Sequence, residues 1–153
     1  MKKTLLIIFA LLGISSAFAA DITHCSSDEN IVFSCSVGKK TASVCASKDA
    51  VKDKGYVQYR FGVIGKPEMT FPVKKEPANK NFSLDTDLCV GTPNASGIKF
   101  IKGEYIYGIA DKTCSGSELG SIEVFKTGKP IASLYCIDDV ISNVSASAVG
   151  ISK

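Results

Sequence analysis

The stretch Gly55-Tyr56-Val57-Gln58-Tyr59-Arg60-Phe61-Gly62-Val63-Ile64 decides the fold. Val57, Tyr59, Phe61 and Val63 fall on one side of an extended chain and Gln58 and Arg60 on the other, which is the two-residue period of a strand with one buried face. The same alternation recurs upstream. Ile31, Phe33, Cys35 and Val37 share one parity and Ser34 and Ser36 the other, after which Gly38-Lys39-Lys40 turns the chain and residues 41–46 bring it back. Downstream, Met69, Phe71 and Val73 alternate beside Pro67 and Pro72, which suits a sheet edge because proline donates no ladder hydrogen bond. Residues 98–101, 105–110, 121–126 and 131–136 complete a set of about eight strands. Most are joined by short turns such as Lys102-Gly103-Glu104 and Thr127-Gly128-Lys129. No run of helical period is long enough to supply the crossover helices of a parallel sheet, so the pattern predicts an all-β antiparallel barrel or sandwich. Residues 74–81 and 85–96 are the longer connections. The Ser/Ala/Val-rich segment after Cys136 reads as a tail, with one weak helix or a frayed end.

The amino terminus points to export. Lys2 and Lys3 precede an apolar run from Leu5 to Ile14, and Ser15-Ser16-Ala17-Phe18-Ala19 places small residues at the −3 and −1 positions of a cleavage site. The run is shorter than the roughly 20 apolar residues of a spanning helix, and His24 rather than a small residue precedes Cys25, which does not suit a lipid anchor. The expected organisation is a signal peptide over 1–19 (cleaved after Ala19 or Ala20), an N-terminal arm with Cys25 over 20–30, a β domain over 31–137 and a tail over 138–153. The short Met-Lys-Lys leader places the product in a bacterial periplasm.

All six cysteines, Cys25, Cys35, Cys45, Cys89, Cys114 and Cys136, lie beyond that leader, and an even count in an exported chain predicts disulfide staples. Six cysteines allow fifteen pairings. If Lys102-Gly103 turns a hairpin, positions adding to roughly 205 face each other, which brings Cys89 near Cys114. Cys35 and Cys45 flank the Gly38 turn, and Cys25–Cys136 remains to join the ends of the domain.

Several classes of function fit poorly. The whole chain has 18 basic and 15 acidic residues. Without Lys2 and Lys3 it is almost neutral, so no electrostatic footprint for nucleic acid or an anionic membrane is expected. No C-x2-C pair occurs and His24 is the single histidine, which argues against a metal site. Paired cysteines leave no thiol nucleophile, and no G-x-S-x-G, H-E-x-x-H or phosphate-loop pattern is present. The carboxylate pairs Asp28-Glu29, Asp85/Asp87 and Asp138-Asp139 sit in turns or loops. The expectation is a non-enzyme without cofactors. The Asn81, Asn94 and Asn143 sequons carry weight only in a eukaryotic secreted protein.

The segment from Thr92 to Gly108 is suited to presenting a braced loop: Asn94-Ala95-Ser96-Gly97 leads into Ile98-Lys99-Phe100-Ile101, a tight turn follows, and Tyr105 and Tyr107 alternate after it. A loop held in one conformation loses less entropy on binding. Ser96-Gly97, Lys99-Phe100 and Gly103-Glu104-Tyr105-Ile106-Tyr107 are similar to the Ser-Gly-rich loop and following aromatic hairpin of bacterial periplasmic inhibitors of I-type lysozyme. Phe33-Ser34-Cys35 through Val44-Cys45-Ala46-Ser47, then Gln58-Tyr59-Arg60-Phe61-Gly62, Glu68 and Ile122-Glu123-Val124-Phe125-Lys126 through Cys136 extend the resemblance over roughly residues 31–137. The chain departs from that pattern in that Ile98 follows Gly97 directly, without the family's glycine-rich run. The resemblance implies a β-barrel-like inhibitor whose loop enters a lysozyme cleft. Its partner-binding residues would be Asn94, Ser96, Gly97, Lys99 and Tyr105, with Ser96 and Gly97 at the tip and Ser96 facing the enzyme's carboxylates. The contrasting expectation is a cell-envelope binding or structural module of the same fold that inhibits nothing. Edge strands such as 68–73 leave a homodimer open.

Overall fold

The structure is a computed structural model that describes residues 23–85, 97–112, 119–137 and 140–145. Ten strands form among these residues: β1 (Glu29–Val37), β2 (Lys40–Ser47), β3 (Val57–Val63), β4 (Lys66–Phe71), β5 (Phe82–Asp85), β6 (Gly97–Lys102), β7 (Tyr105–Ala110), β8 (Ser121–Lys126), β9 (Lys129–Tyr135) and β10 (Ile141–Ser142). They make two antiparallel sheets of five, ordered β10-β1-β2-β3-β4 and β5-β6-β7-β8-β9. All eight predicted strands are present. The two additional ones are β5, which falls between the two connections read over 74–81 and 85–96, and β10, inside the segment read as a tail. The ladders do not close into a barrel, and the described residues form a sandwich of two meanders.

Alternation along the strands builds the layer between the sheets. Phe33, Cys35, Ala42, Val44, Val57 and Tyr59 face inward from the first sheet and Phe82, Ile98, Phe100, Ile109 and Ile122 from the second, all buried. Phe100 is the centre. Its ring stacks on Phe71 at 4.6 Å and on Tyr107 at 4.8 Å, meets Phe82 edge-on at 5.5 Å and tilts against Tyr59 at 5.2 Å. Burial of these rings supplies both apolar area and preferred aromatic geometry. In β1 a bulge between Ile31 and Phe33 interrupts the expected parity, so Val32 joins Phe33 in the core while Ile31 is only half-buried.

The expected Cys35–Cys45 and Cys25–Cys136 bridges are corrected. The bonds observed are Cys25–Cys45, with Cα atoms 5.3 Å apart, and Cys35–Cys136, with Cα atoms 5.6 Å apart. Both corrections follow from sheet faces. Cys35 lies opposite Ala42 and points into the core, whereas Cys45 shares the outer face with Ser43, Gln58 and Arg60, so one hairpin cannot join them. The N-terminal arm crosses that outer face, where Thr23 Oγ1 and the His24 amide both reach Ser43 Oγ, at 3.4 and 3.0 Å, and there it delivers Cys25 to Cys45. Cys136 stands at the corner where the chain changes sheets. Its amide still donates to Gly120 O (2.9 Å), while the Ile137 amide already donates to Ser36 O (2.9 Å). A Cβ on Gly120 would lie 2.8 Å from Ala110 O and 3.1 Å from the Phe33 ring, so only glycine allows this close crossing. The expected Cys89–Cys114 pair lies outside the described residues.

Cys35–Cys136 spans 101 positions and Cys25–Cys45 spans 20. In the chain-entropy account these loops are worth about 4.7 and about 3.3 kcal/mol. Urea melts of the paired Cys→Ala variants should therefore show the larger loss for Cys35/Cys136. Equal losses, or the reverse order, would contradict the corner bridge as the principal staple.

Candidate functional site

β5 and β6 pair with Asp85 opposite Gly97, so the residues that flank the connection 86–96 stand at neighbouring positions on the second sheet. Ser83, Asp85, Gly97 and Lys99 share the outer face, since Phe82, Leu84, Ile98 and Phe100 take the inner one. Lys99 Nζ reaches Asp85 Oδ2 at 2.8 Å across the pair, with the Asp85 side chain 15% exposed. This half-buried ion pair ties the base of the connection. Its partly desolvated carboxylate makes the contact stronger than an exposed surface pair.

The structure brings together only part of the predicted set. Asn94 and Ser96 lie outside the described residues. Gly97 is the first residue of β6, buried and paired with both Asp85 and Ala110, so it is a strand residue at the loop base and not a tip. Lys99 is engaged by Asp85, which makes it a brace for the loop. Tyr105 begins β7 at the opposite end of the sheet, opposite Lys102 and Lys126, roughly 17 Å from the Gly97 row at ~3.4 Å per residue. Lys126 Nζ sits 5.2 Å over its ring. The residue that the sequence did not single out as a partner for Lys99 is Asp85. Counting its parity back from Ser83 and Asn81 would have put it on the polar face.

A second polar cluster covers the outer face of the first sheet. Arg60 donates to both Glu29 carboxylate oxygens at 2.6 Å, and the Ser26 amide (2.8 Å) and Tyr56 hydroxyl (2.7 Å) complete the carboxylate's shell. Arg60 also donates to His24 O (2.9 Å) and Gln58 Oε1 (2.8 Å), and Gln58 Nε2 donates to Pro72 O (2.9 Å). Burial pushes the Glu29 carboxyl up, but the bonds from Arg60, Ser26 and Tyr56 outweigh it and hold the group down at about 2. The bond to Glu29 raises Arg60 in turn, against its own burial. A carboxylate so fully bonded is committed to structure and has no lone pair left for acid–base work. Cys25 and Cys45 converge on the same carboxylate, but their sulfurs are joined to each other, which leaves no thiolate pair for a metal ion.

The Glu29 carboxyl is held below its ordinary value of 4.5, so its contribution is complete above that pH and fades as pH falls toward 2. The size is on the order of 3 kcal/mol at neutral pH. Glu29→Gln should therefore be less stable than the parent at pH 7, with the gap closing between about pH 4.5 and 2 in denaturant melts. A gap independent of pH would place the acid sensitivity elsewhere.

No protein-family model, no curated protein and no solved structure matches the chain.

Proposed function

We propose that the protein is an exported, periplasmic inhibitor of a lysozyme, with I-type enzymes the favoured target, that occludes the catalytic cleft with the segment 86–96. The signal peptide is removed after Ala19 or Ala20, and the protein has no catalytic activity or cofactor of its own. The observation that carries the reading is the Asp85–Gly97 pairing with its Lys99 brace: both ends of an eleven-residue connection are gathered on one point of a rigid sheet. A connection anchored in this way can be presented to a concave partner at low entropic cost. The two disulfides among the described residues suit an oxidising compartment outside the cytoplasm. Among those residues no helix is long and apolar enough to cross a membrane.

Ser96 offers a hydroxyl to a carboxylate and Asn94 an amide, both within the connection. Gly97 and Lys99 act through the loop base and Tyr105 is left out of the contact. The fold alone does not specify inhibition, so the test is direct. The oxidised protein is titrated against I-, C- and G-type lysozymes on a peptidoglycan suspension. Saturable inhibition of one type near equimolar protein is expected. Ser96→Ala should weaken it about tenfold or more, the size of one good interfacial contact, with the melting temperature unchanged. Absence of inhibition of all three types removes this reading and leaves an envelope-binding module of the same fold.

A further inference from the structure

We infer that β9 is a self-association edge, through which two copies of this chain pair their second sheets antiparallel about a two-fold axis at Ser133. A sheet edge recruits another strand unless something blocks it, and proteins block edges with prolines, charges, bulges or short strands. The four edges here differ in that respect. β10 is two residues long, β4 opens with Lys66-Pro67 and is followed by Pro72, and β5 has four residues and ends in the ion-paired Asp85. In β9 the guards are confined to the first half: Lys129, Pro130 and the bulge near Ile131, where Val124 pairs with Ala132 and Phe125 with Pro130. From Ile131 the strand reads Ile-Ala-Ser-Leu-Tyr, with no charge and no proline.

Among the described residues nothing covers either face of this edge. Every residue of β9 is exposed except the half-buried Leu134, and this includes Ala132, which lies on the side facing the first sheet. Ile131 and Tyr135 are 55% and 54% exposed, and Leu119 and Ile137 beside the strand's end are 42% and 58% exposed. The hydrogen-bond phase fixes how a second copy fits. The Cys136 amide donates inward to Gly120 O, so alternation turns Leu134 toward β8 and leaves the N–H and C=O of Ser133 and Tyr135 pointing away from the sheet. Only a register that sets outward residues against outward residues makes a ladder. Centred on Ser133, that register places Ile131 against the partner's Tyr135, twice over, as an aliphatic–aromatic cross-strand pair. The four exposed side chains and the strand edge offer on the order of 500 Å² per copy, against the roughly 800 Å² per partner of a stable complex, so the dimer is weak and concentration-dependent.

Sedimentation of the oxidised protein from about 1 to 500 µM should show the average mass rising from one chain toward two, with the midpoint inside that range. Ile131→Lys sets a charge against the partner's Tyr135 and should shift that midpoint at least tenfold upward. Ile101→Lys, a residue 61% exposed but three strands from the edge, should leave it unchanged. In Ser133→Cys the axis brings two thiols onto one face with Cα atoms about 5.5 Å apart, within reach of a short bifunctional thiol reagent, so a covalent dimer should form with that reagent. A monomer at every concentration, an Ile131→Lys midpoint equal to the parent's, an equal shift from Ile101→Lys, or a Ser133→Cys protein that does not cross-link would each overturn the assignment. None of these readings depends on whether a lysozyme is bound.

Discussion

The two sheets are held by one aromatic layer whose centre is the buried Phe100, and most other features are consequences of where that layer lies. With Phe71 and Tyr107 stacked on it and Phe82 against its edge, Phe100 fixes which parity of β3, β4, β5, β6 and β7 points inward. A one-residue slip in any of these strands would turn an aromatic ring out to water and a polar side chain in. The outer faces are thereby released for other uses. On the first sheet, Ser43, Cys45, Gln58 and Arg60 form the bed for the N-terminal arm and the Glu29 pair, and on the second, Asp85 and Lys99 brace a loop.

The same period of two governed how much could be read from the sequence. Where one face is apolar and the other polar, as in residues 57–63, strand, parity and neighbours are legible, and Arg60 already stood apart as the charge on the polar side. The hairpins about Gly38, Gly103 and Gly128 were legible too, since each has a glycine with φ between +62° and +76° at its turn. β5 and β10 were not, because four residues and two residues are too short for a period to declare itself. They exist because a neighbouring strand offers a ladder, β6 in one case and β1 in the other.

Cysteine pairing was read from distance along the hairpin, and the error is instructive. Flanking a turn brings two residues near each other only if they also share a face, and the β1–β2 register gives Cys35 and Cys45 opposite faces. The bridge that forms instead, Cys35–Cys136, depends on the chain changing sheets after Cys136, close against Gly120, a tertiary event with no local sequence signature beyond a glycine before a strand. The candidate site was legible to a similar degree. Gly97 was expected at the loop tip and stands instead in β6 at the base, where Lys99 meets Asp85, and Tyr105 was grouped with them by proximity in sequence. A six-residue strand carries Tyr105 to the far end of the sheet.

Strand direction links the two proposals. In a pair formed through β9 the two-fold axis reverses the second copy, so the ends of the second sheet from which the 86–96 connections emerge point opposite ways. Asp85 and Gly97 lie on β5 and β6, the side of the sheet farthest from β9. Association through the one edge therefore leaves the loop base at the other uncovered. Such a pair presents two loops in opposite directions, each free to meet its own partner, so association through β9 neither adds to nor takes from the contact each loop makes.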